Sequence, residues 1–204
     1  KYVISGSFRR DGSSRFSEKN RYGNFWSTGA SWNAQEEDFI KSLRSINLLK
    51  LRASYGLTGN ANIDDYGWRQ LYSYGTSSDY AVSYYNFNYN GEVGSGPTSV
   101  GNPYLTWETN KQFNVGLDVG LFNNRLSFTF DYYNRKATNL LLSQPTSGTA
   151  GTGSFLNNIG SMRNRGVEFS INGTPVQIAD FKWNAGFNIS RNINKVTSLV
   201  DGKD

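Results

Sequence analysis

The chain has 204 residues, of which 37% are hydrophobic and 15% aromatic, and its formal net charge is +5. It contains no cysteine and no histidine, which excludes disulfides, a Cys/His zinc site and a Cys or His nucleophile. A mean hydropathy of -0.58 and the lack of any long apolar run exclude a bundle of transmembrane helices. The basic residues are scattered, which argues against a nucleic-acid partner.

Alternating polar and apolar residues, bounded by turn residues, predict about seven β-strands in chain order. The predicted strands lie near residues 1–10, 22–33, 47–58, 106–122, 125–141, 163–174 and 181–195. Each is about ten residues or longer, and ten tilted residues cover roughly 25 Å, the height of the apolar band of an outer-membrane barrel. The fold class that we expect is therefore all-β: a segment of an antiparallel up-and-down transmembrane β-barrel.

The alternation also predicts which side chains share a face, because successive residues of a strand point to opposite sides of the sheet. Apolar residues of one parity are expected to face lipid, and the small and polar residues between them are expected to face a water-filled lumen. We therefore expect Phe128→Arg to destabilise the barrel by ~2–4 kcal/mol, and Asn188→Arg on the lumen side to cost less. The predicted lipid-facing residues are Val115, Leu117, Val119, Phe128, Phe130, Phe187 and Ile189.

The connections between the predicted strands alternate in length. Segments 11–21, 59–105 and 142–162 are long, whereas 34–46, 123–124 and 175–180 are shorter. Long loops on one side and short turns on the other are typical of outer-membrane barrels, whose long loops lie outside the cell. Asn123 and Asn124 suit a type I′ hairpin turn, and residues 36–43 form the only plausible helix, of one or two turns.

Aromatic residues are concentrated in segment 62–90, within the longest connection. Tyr and Trp rings offer flat apolar faces with a polar tip, which suits the binding of a sugar or a peptide. The alternative is that these rings pack on one another and make the loop rigid. We take six of them as candidate contacts to a ligand or a partner: Tyr66, Trp68, Tyr72, Tyr74, Tyr84 and Tyr85. The sequence indicates no catalytic, cofactor-binding or metal site.

Six short segments, in order and spread over nearly the whole chain, resemble the SusC/RagA-type TonB-dependent transporters of the Bacteroidetes outer membrane. They are residues 10–16 (RDGSSRF), 49–60 (LKLRASYGLTGN), 101–108 (GNPYLTWE), 130–135 (FDYYNR), 164–168 (NRGVE) and 188–196 (NISRNINKV). The resemblance implies that residues 1–204 are an internal part of a larger barrel. A plug domain and the remaining strands would then lie outside these residues.

The resemblance further implies a function in the cell outer membrane, namely TonB-dependent import of glycans or oligosaccharides. The implied partners are a SusD-like surface lipoprotein, TonB acting through the plug, the cargo and membrane lipid, with no enzymatic activity. A peptide or siderophore transporter is the nearest alternative. A soluble carbohydrate-binding β-sandwich is the alternative from another class, and it predicts two sheets packed face to face with Greek-key connections.

Overall fold

The computed structural model describes residues 1–74, 88–89, 92–147 and 153–199. Its strands are β1 Tyr2–Gly12, β2 Tyr22–Asn33, β3 Ile46–Asn60, β4 Tyr72–Tyr74, β5 Asn88–Tyr89, β6 Glu92–Val93, β7 Ser95–Pro97, β8 Glu108–Leu121, β9 Leu126–Thr138, β10 Leu141–Pro145, β11 Ser154–Asn158, β12 Ser161–Ile178 and β13 Phe181–Ser198. The seven long strands match the seven strands that the sequence predicts.

All seven long strands belong to one antiparallel sheet with the order β1-β2-β3-β8-β9-β12-β13. Each long strand pairs with the next long strand along the chain, as an up-and-down meander requires. This topology confirms the predicted meander. The β-sandwich alternative is wrong, because the long strands form a single sheet instead of two sheets facing each other.

The register confirms the predicted faces of this sheet. Residues directly opposite each other on antiparallel strands point to the same side. Phe130 lies opposite Leu117 on β8 and opposite Phe169 on β12, and Phe169 in turn lies opposite Ile189 on β13. One side of the sheet, the apolar face, therefore carries the predicted apolar set. The other side, the polar face, carries mainly small, polar and charged residues.

The sheet is a single layer, so its apolar face has no second layer to cover it. Ile4 is 82% exposed, and Phe187 and Ile189 are each 59% exposed. Val119 is an exception at 7%, and Leu49 and Phe128 lie opposite it on the two neighbouring strands. The strongest burial among the described residues lies instead in the long connections, where Phe16 and Leu105 are fully buried.

The two ends of the sheet differ in their connections. Residues 13–21, 61–107 and 139–160 join the strands at one end, which we call the loop end. Residues 34–45, 122–125 and 179–180 join them at the other, which we call the turn end. The alternation of long and short connections is thus as predicted. The described parts of the long connections contain three small strand pairs: β4 with β7, β5 with β6 and β10 with β11.

The hairpin between β8 and β9 has the turn chemistry that its sequence predicts. Asn123 and Asn124 have φ angles of 57° and 60°, and the Arg125 N–H donates to the Phe122 carbonyl at 3.2 Å. Positive φ at both central residues is what a type I′ turn requires. The loop is longer than predicted, because Phe122 also has a positive φ, of 53°.

The end of β12 differs from the prediction, which placed Pro175 in the turn. The strand continues to Ile178, and pairing shifts between Gly173 and Val176. Two residues of β12 there oppose one residue of β13, which is a β-bulge. Proline fits at a bulge because its missing N–H is not needed for the strand ladder.

The connection between β2 and β3 contains the predicted helix. A single turn of 3₁₀-helix at Ala34–Glu36 precedes the one-turn α-helix α1, Asp38–Lys41. None of the helices in the described part of the chain has the length and apolarity needed to cross a membrane.

Glu37 ties this connection to the first two strands. Its carboxylate accepts hydrogen bonds from the Trp32 indole N–H and from the Lys1 ammonium, both at 3.2 Å. The hydrogen bond from Trp32, followed by the one from Lys1, lowers the pKa of Glu37, since both favour the charged carboxylate. The same contact raises the pKa of Lys1.

Several aromatic residues lie at the borders of the apolar face. At the turn end, Tyr2 stacks on Trp32 with ring centroids 6.4 Å apart, and Trp183 is 53% exposed. At the loop end Trp26 packs against Tyr55. Six aromatic residues in or beside the predicted strands are candidates, from the sequence, for the aromatic girdles at the two membrane interfaces: Trp26, Trp32, Trp107, Tyr132, Tyr133 and Trp183. The positions of Trp26, Trp32 and Trp183 suit such girdles.

Two further residues that the sequence suggests for these girdles lie elsewhere. Tyr133 is on the polar face, opposite Asn114 and Gly166. Trp107 packs inside the loop end, against Phe16 and Phe25. The girdle interpretation is wrong for these two, because aromatic content alone does not indicate which way a ring points.

Candidate functional site

The loop end contains a small hydrophobic core to which all three long connections contribute. Phe16, Ile63 and Leu105 form its buried centre. Ala61, Trp68, Trp107, Leu141 and Leu156 pack around this centre and are partly buried. We call this set the loop core. Because its members come from residues 13–21, 61–107 and 139–160, the three connections form one packed unit at this end of the sheet.

Hydrogen bonds join the first connection to the second. The Ser17 hydroxyl donates to the Pro103 carbonyl at 2.7 Å, and the Asn20 amide donates to the Leu105 carbonyl at 3.1 Å. The Trp107 indole N–H donates to the Arg21 carbonyl at 3.3 Å. The apolar core excludes water, so without these side chains the backbone carbonyls would have no hydrogen-bond partner.

Asparagine side chains join the second connection to the third. Asn158 accepts from the Thr106 N–H and donates to the Thr106 carbonyl, both at 2.8 Å, and so replaces a strand partner for that residue. Asn102 donates from its side-chain amide to the Leu156 carbonyl at 3.1 Å. The loop core is therefore fastened by polar contacts on both sides.

Gly101 allows two backbone segments of the second connection to come together. A Cβ added at this position would lie 2.5 Å from the Gln70 nitrogen and 2.9 Å from the Arg69 carbonyl carbon. Real Cβ atoms do not approach backbone this closely, so residue 101 must be glycine for the segment around Trp68 to pack where it does.

The structure separates the candidate aromatic residues by environment. Tyr66 and Tyr72 are each 61% exposed, whereas Trp68 packs against the loop core. Tyr74 is the last residue of β4. Tyr84 and Tyr85 lie outside the described residues. A role of any of these residues in binding remains a prediction.

Arg69 lies between two of the candidate rings. Its guanidinium carbon is 4.7 Å from the Trp68 ring centroid and 5.8 Å from that of Tyr66, both within the range of a cation–π contact. Arg69 is not among the candidates predicted from the sequence, and neither is Tyr104, which is 84% exposed. The position of Tyr104 next to Pro103 in a long loop was the available signal.

A second candidate feature is an ion-pair network on the polar face. The Arg52 guanidinium binds Asp118 at 3.1 and 3.3 Å and a carboxylate oxygen of Asp131 at 2.8 Å. Gly116 lies opposite Arg52, and a Cβ there would fall 2.5 Å from the guanidinium carbon. The three charged residues thus bridge β3, β8 and β9 across a position that only glycine leaves open.

The network borders an open cleft of about 610 Å³ on the polar face. Its lining includes Ser54, Gln112, Asn114, Arg135 and Glu168. Such a surface can bind polar groups through hydrogen bonds and charge. Among the described residues no cluster of three or more Asp or Glu side chains has the geometry of a metal site.

The fold and these two features define a class of protein. The chain forms several adjacent strands of a sheet with an apolar and a polar face, and its long loops pack together at one end. This is the architecture of part of a β-barrel wall.

The chain belongs to the family described as TonB dependent receptor-like, beta-barrel, which matches residues 1–204. It is 43% identical to the TonB-dependent receptor P3 of Formosa agariphila over 206 aligned residues, covering 100% of this chain and 20% of that protein. It is 39% identical to the TonB-dependent receptor SusC of Bacteroides thetaiotaomicron, with coverage of 100% and 20%. The chain therefore spans about a fifth of the length of these relatives.

Solved structures agree with this assignment. The chain is similar to the RagAB peptide transporter with a TM-score of 0.85 and 35% identity, covering 99% of this chain and 21% of that one. Against the RagAB peptide importer in its open-open state the TM-score is 0.84, again with 35% identity, and coverage is 100% and 21%. The seven-stranded sheet is thus a fragment of a larger barrel of this family.

Proposed function

We propose that the chain is a wall segment, with attached surface loops, of a TonB-dependent importer in the cell outer membrane. The observation that carries this proposal is the sorting of the sheet into an apolar and a polar face across all seven strands. An uncovered apolar face of this extent is unfavourable in water and favourable in lipid. Membership of the TonB-dependent receptor family supports the same function.

In this function the segment itself carries out no bond chemistry. The apolar face contacts lipid, the polar face lines the lumen, and the loop end lies on the extracellular side. A plug domain from outside residues 1–204 contacts the polar face, and Arg52 with its two carboxylate partners offers it a charged surface. TonB acts on that plug and drives import.

We propose oligosaccharides derived from glycans as the cargo and a SusD-like surface lipoprotein as the partner at the loop end. The resemblance of the chain to SusC/RagA-type transporters supports this assignment, and SusC is among its relatives. Exposed Tyr66 and Tyr72 would supply stacking faces for sugar rings. A peptide cargo is the second candidate, because the solved structures that resemble the chain are those of a peptide transporter. A siderophore is a third candidate.

Uptake by cells that produce the full-length transporter tests the proposal. Labelled oligosaccharide should accumulate only when TonB is present. The double variant Tyr66→Ala with Tyr72→Ala should reduce uptake at least about tenfold, since each lost stacking contact weakens binding by roughly 1 kcal/mol or more. Oligopeptide uptake without oligosaccharide uptake would select the second candidate. Accumulation of no labelled cargo under any condition would contradict import itself.

The matched control is Ser73→Ala, which lies between β4 residues and removes no ring. Surface amounts of each variant are compared so that a folding defect is not mistaken for a binding defect. If the double variant imports cargo and binds the lipoprotein as well as the wild type does, the role of these two tyrosines is refuted.

A further inference from the structure

The apolar face carries a row of positive charges near the loop end. Lys111 on β8 lies opposite Lys136 on β9, Lys136 lies opposite Arg163 on β12, and Arg163 lies opposite Lys195 on β13. All four side chains are exposed. We call these four residues the basic row. Four neighbouring strands thus place a cation at the same position on the same face.

Charge is sorted between the two faces of these four strands. Arg165 and Arg191 add two further cations to the apolar face, which also carries the basic row. None of the paired positions on this face of β8, β9, β12 and β13 is acidic. The carboxylates on these strands are on the polar face: Glu108, Asp118, Asp131 and Glu168. At the described paired positions, the basic row therefore has no acidic neighbour on its own side of the sheet.

Within the described residues, none of the four cations forms an ion pair. Arg163 donates to the Asn134 side-chain oxygen at 2.8 Å, which is a neutral partner. Like charges directly opposite each other on neighbouring strands destabilise a sheet unless something compensates them. No described carboxylate compensates the four charges of the basic row, and an anion bound on this face would do so.

On β8 and on β13, the cations of this face that lie nearest to the turn end are Lys111 and Arg191. We call the line through these two residues the border of the cations. Between Lys111 on β8 and Arg191 on β13 there are three strand spacings, about 14 Å. Arg191 is four residues below Lys195, which lies in the row of Lys111, and four residues are about 13 Å. The line from Lys111 to Arg191 therefore makes an angle of about 43° with the basic row. Barrel strands tilt by about 35–45° from the membrane normal, so a line with this slope is level in the membrane when it descends in the direction of the tilt.

Lys111 and Arg191, which lie on this line, mark the upper limit of the apolar band at the height of lipid headgroups, and the basic row extends from Lys111 into the headgroup layer above it. From this we propose, on the basis of the outer-membrane function above, that the basic row binds the phosphate groups of an outer-leaflet lipid. The acyl chains of that lipid lie against the apolar face below, where Tyr132, Val167 and Ile193 are close to the row. Lysine and arginine are the side chains that bind phosphate by charge and by hydrogen bonds.

The test uses the purified full-length transporter in detergent and a fluorescent bis-phosphorylated glycolipid, lipid A, as the probe. The test variant replaces all four residues of the basic row with Gln. The control variant replaces four other exposed cations with Gln and so removes the same total charge: Lys19, Lys41, Arg44 and Lys182. A charge near an anionic lipid contributes about fivefold in affinity, so the test variant should bind the probe more than about 100-fold more weakly. The control should bind like the wild type.

Equal binding by all three proteins would overturn the proposal, and so would an equal loss in the test and control variants. Inorganic phosphate and phosphatidylcholine are added as competitors. Displacement of the probe by millimolar inorganic phosphate would show a site for free phosphate and would also overturn the assignment to a lipid. If the test variant does not fold, Lys136→Gln combined with Arg163→Gln gives the same comparison with an expected loss of about 25-fold.

Cargo uptake by the same variants separates this proposal from the proposed function. Lipid binding is measured without cargo, so it can fail while import is intact. Conversely, a transporter that imports no cargo but binds lipid A through the basic row would support the lipid site and contradict the import function.

Discussion

Phe130 gives the sharpest test of which face contacts lipid. It is four residues from Leu126 at the turn end and six from Lys136 in the basic row. At about 2.5 Å of height per tilted residue, these distances are roughly 10 and 15 Å, which puts Phe130 near the middle of a band about 25 Å high. Phe128 lies closer to the turn end, so Phe130 is the better position for a charge at mid-membrane.

We expect Phe130→Arg to lower the free energy of unfolding by about 2–4 kcal/mol, because a cation near the bilayer centre loses its hydration. Phe128→Arg should have a smaller effect. Thr129→Arg should cost less than about 1 kcal/mol, because Thr129 is on the polar face, opposite Asp118. Thr129 is adjacent to Phe130 and lies at almost the same height in the membrane. The two Arg variants therefore differ mainly in the face of the sheet on which the charge is placed.

The measurement is urea unfolding of the full-length transporter in phosphatidylcholine vesicles, followed by tryptophan fluorescence. With a slope of about 3 kcal/mol per molar urea, the midpoint for Phe130→Arg should fall by about 1 M. A Thr129→Arg variant that is as unstable as Phe130→Arg would refute the assignment of the faces. Equal stability of Phe130→Arg and the wild type would refute it as well.

Three further changes test other parts of the structure. Gly116→Val should destabilise the full-length transporter by about 1–3 kcal/mol in urea unfolding, because the valine side chain would displace the Arg52 guanidinium. Gly116→Ser should cost less. Equal stability of Gly116→Val and the wild type would count against the ion-pair network. Gly101→Val should lower the thermal midpoint through its clash with loop backbone, and an unchanged midpoint would contradict the described loop packing. The Glu37 carboxylate has a lowered pKa, so its stabilisation is present above its ordinary pKa of about 4.3 and is lost as the pH falls through the lowered value. Glu37→Gln should therefore melt below the wild type at pH 7, and the difference should shrink as the pH falls through the lowered pKa. A difference that does not change with pH would contradict the charged carboxylate as its source.

Residues 1–204 alone should not form a soluble, monodisperse protein. The two edge strands β1 and β13 leave backbone hydrogen-bonding groups unpaired, and the apolar face is uncovered. Expression should give inclusion bodies or a product that requires detergent. A monomer in plain buffer with cooperative melting would contradict this expectation.

The sequence by itself determined the class of fold, because the relevant signal is local. A period of two over ten or more residues assigns each side chain to a face, whatever strand lies beside it. For the same reason the alternation of connection lengths, the helical turn near α1 and the Asn123–Asn124 hairpin could all be predicted. Each of these features depends on residues that are neighbours in the chain.

Tertiary structure alone decided which distant residues meet. Arg52 reaches Asp118 and Asp131 because of the register of β3, β8 and β9, and a register shift of two residues would leave every face unchanged while separating these charges. The basic row depends on the register in the same way. The loop core depends on contacts between connections that are far apart in the chain, for which periodicity carries no signal. Alternation therefore specified the faces of the wall, and strand register specified what is assembled on them.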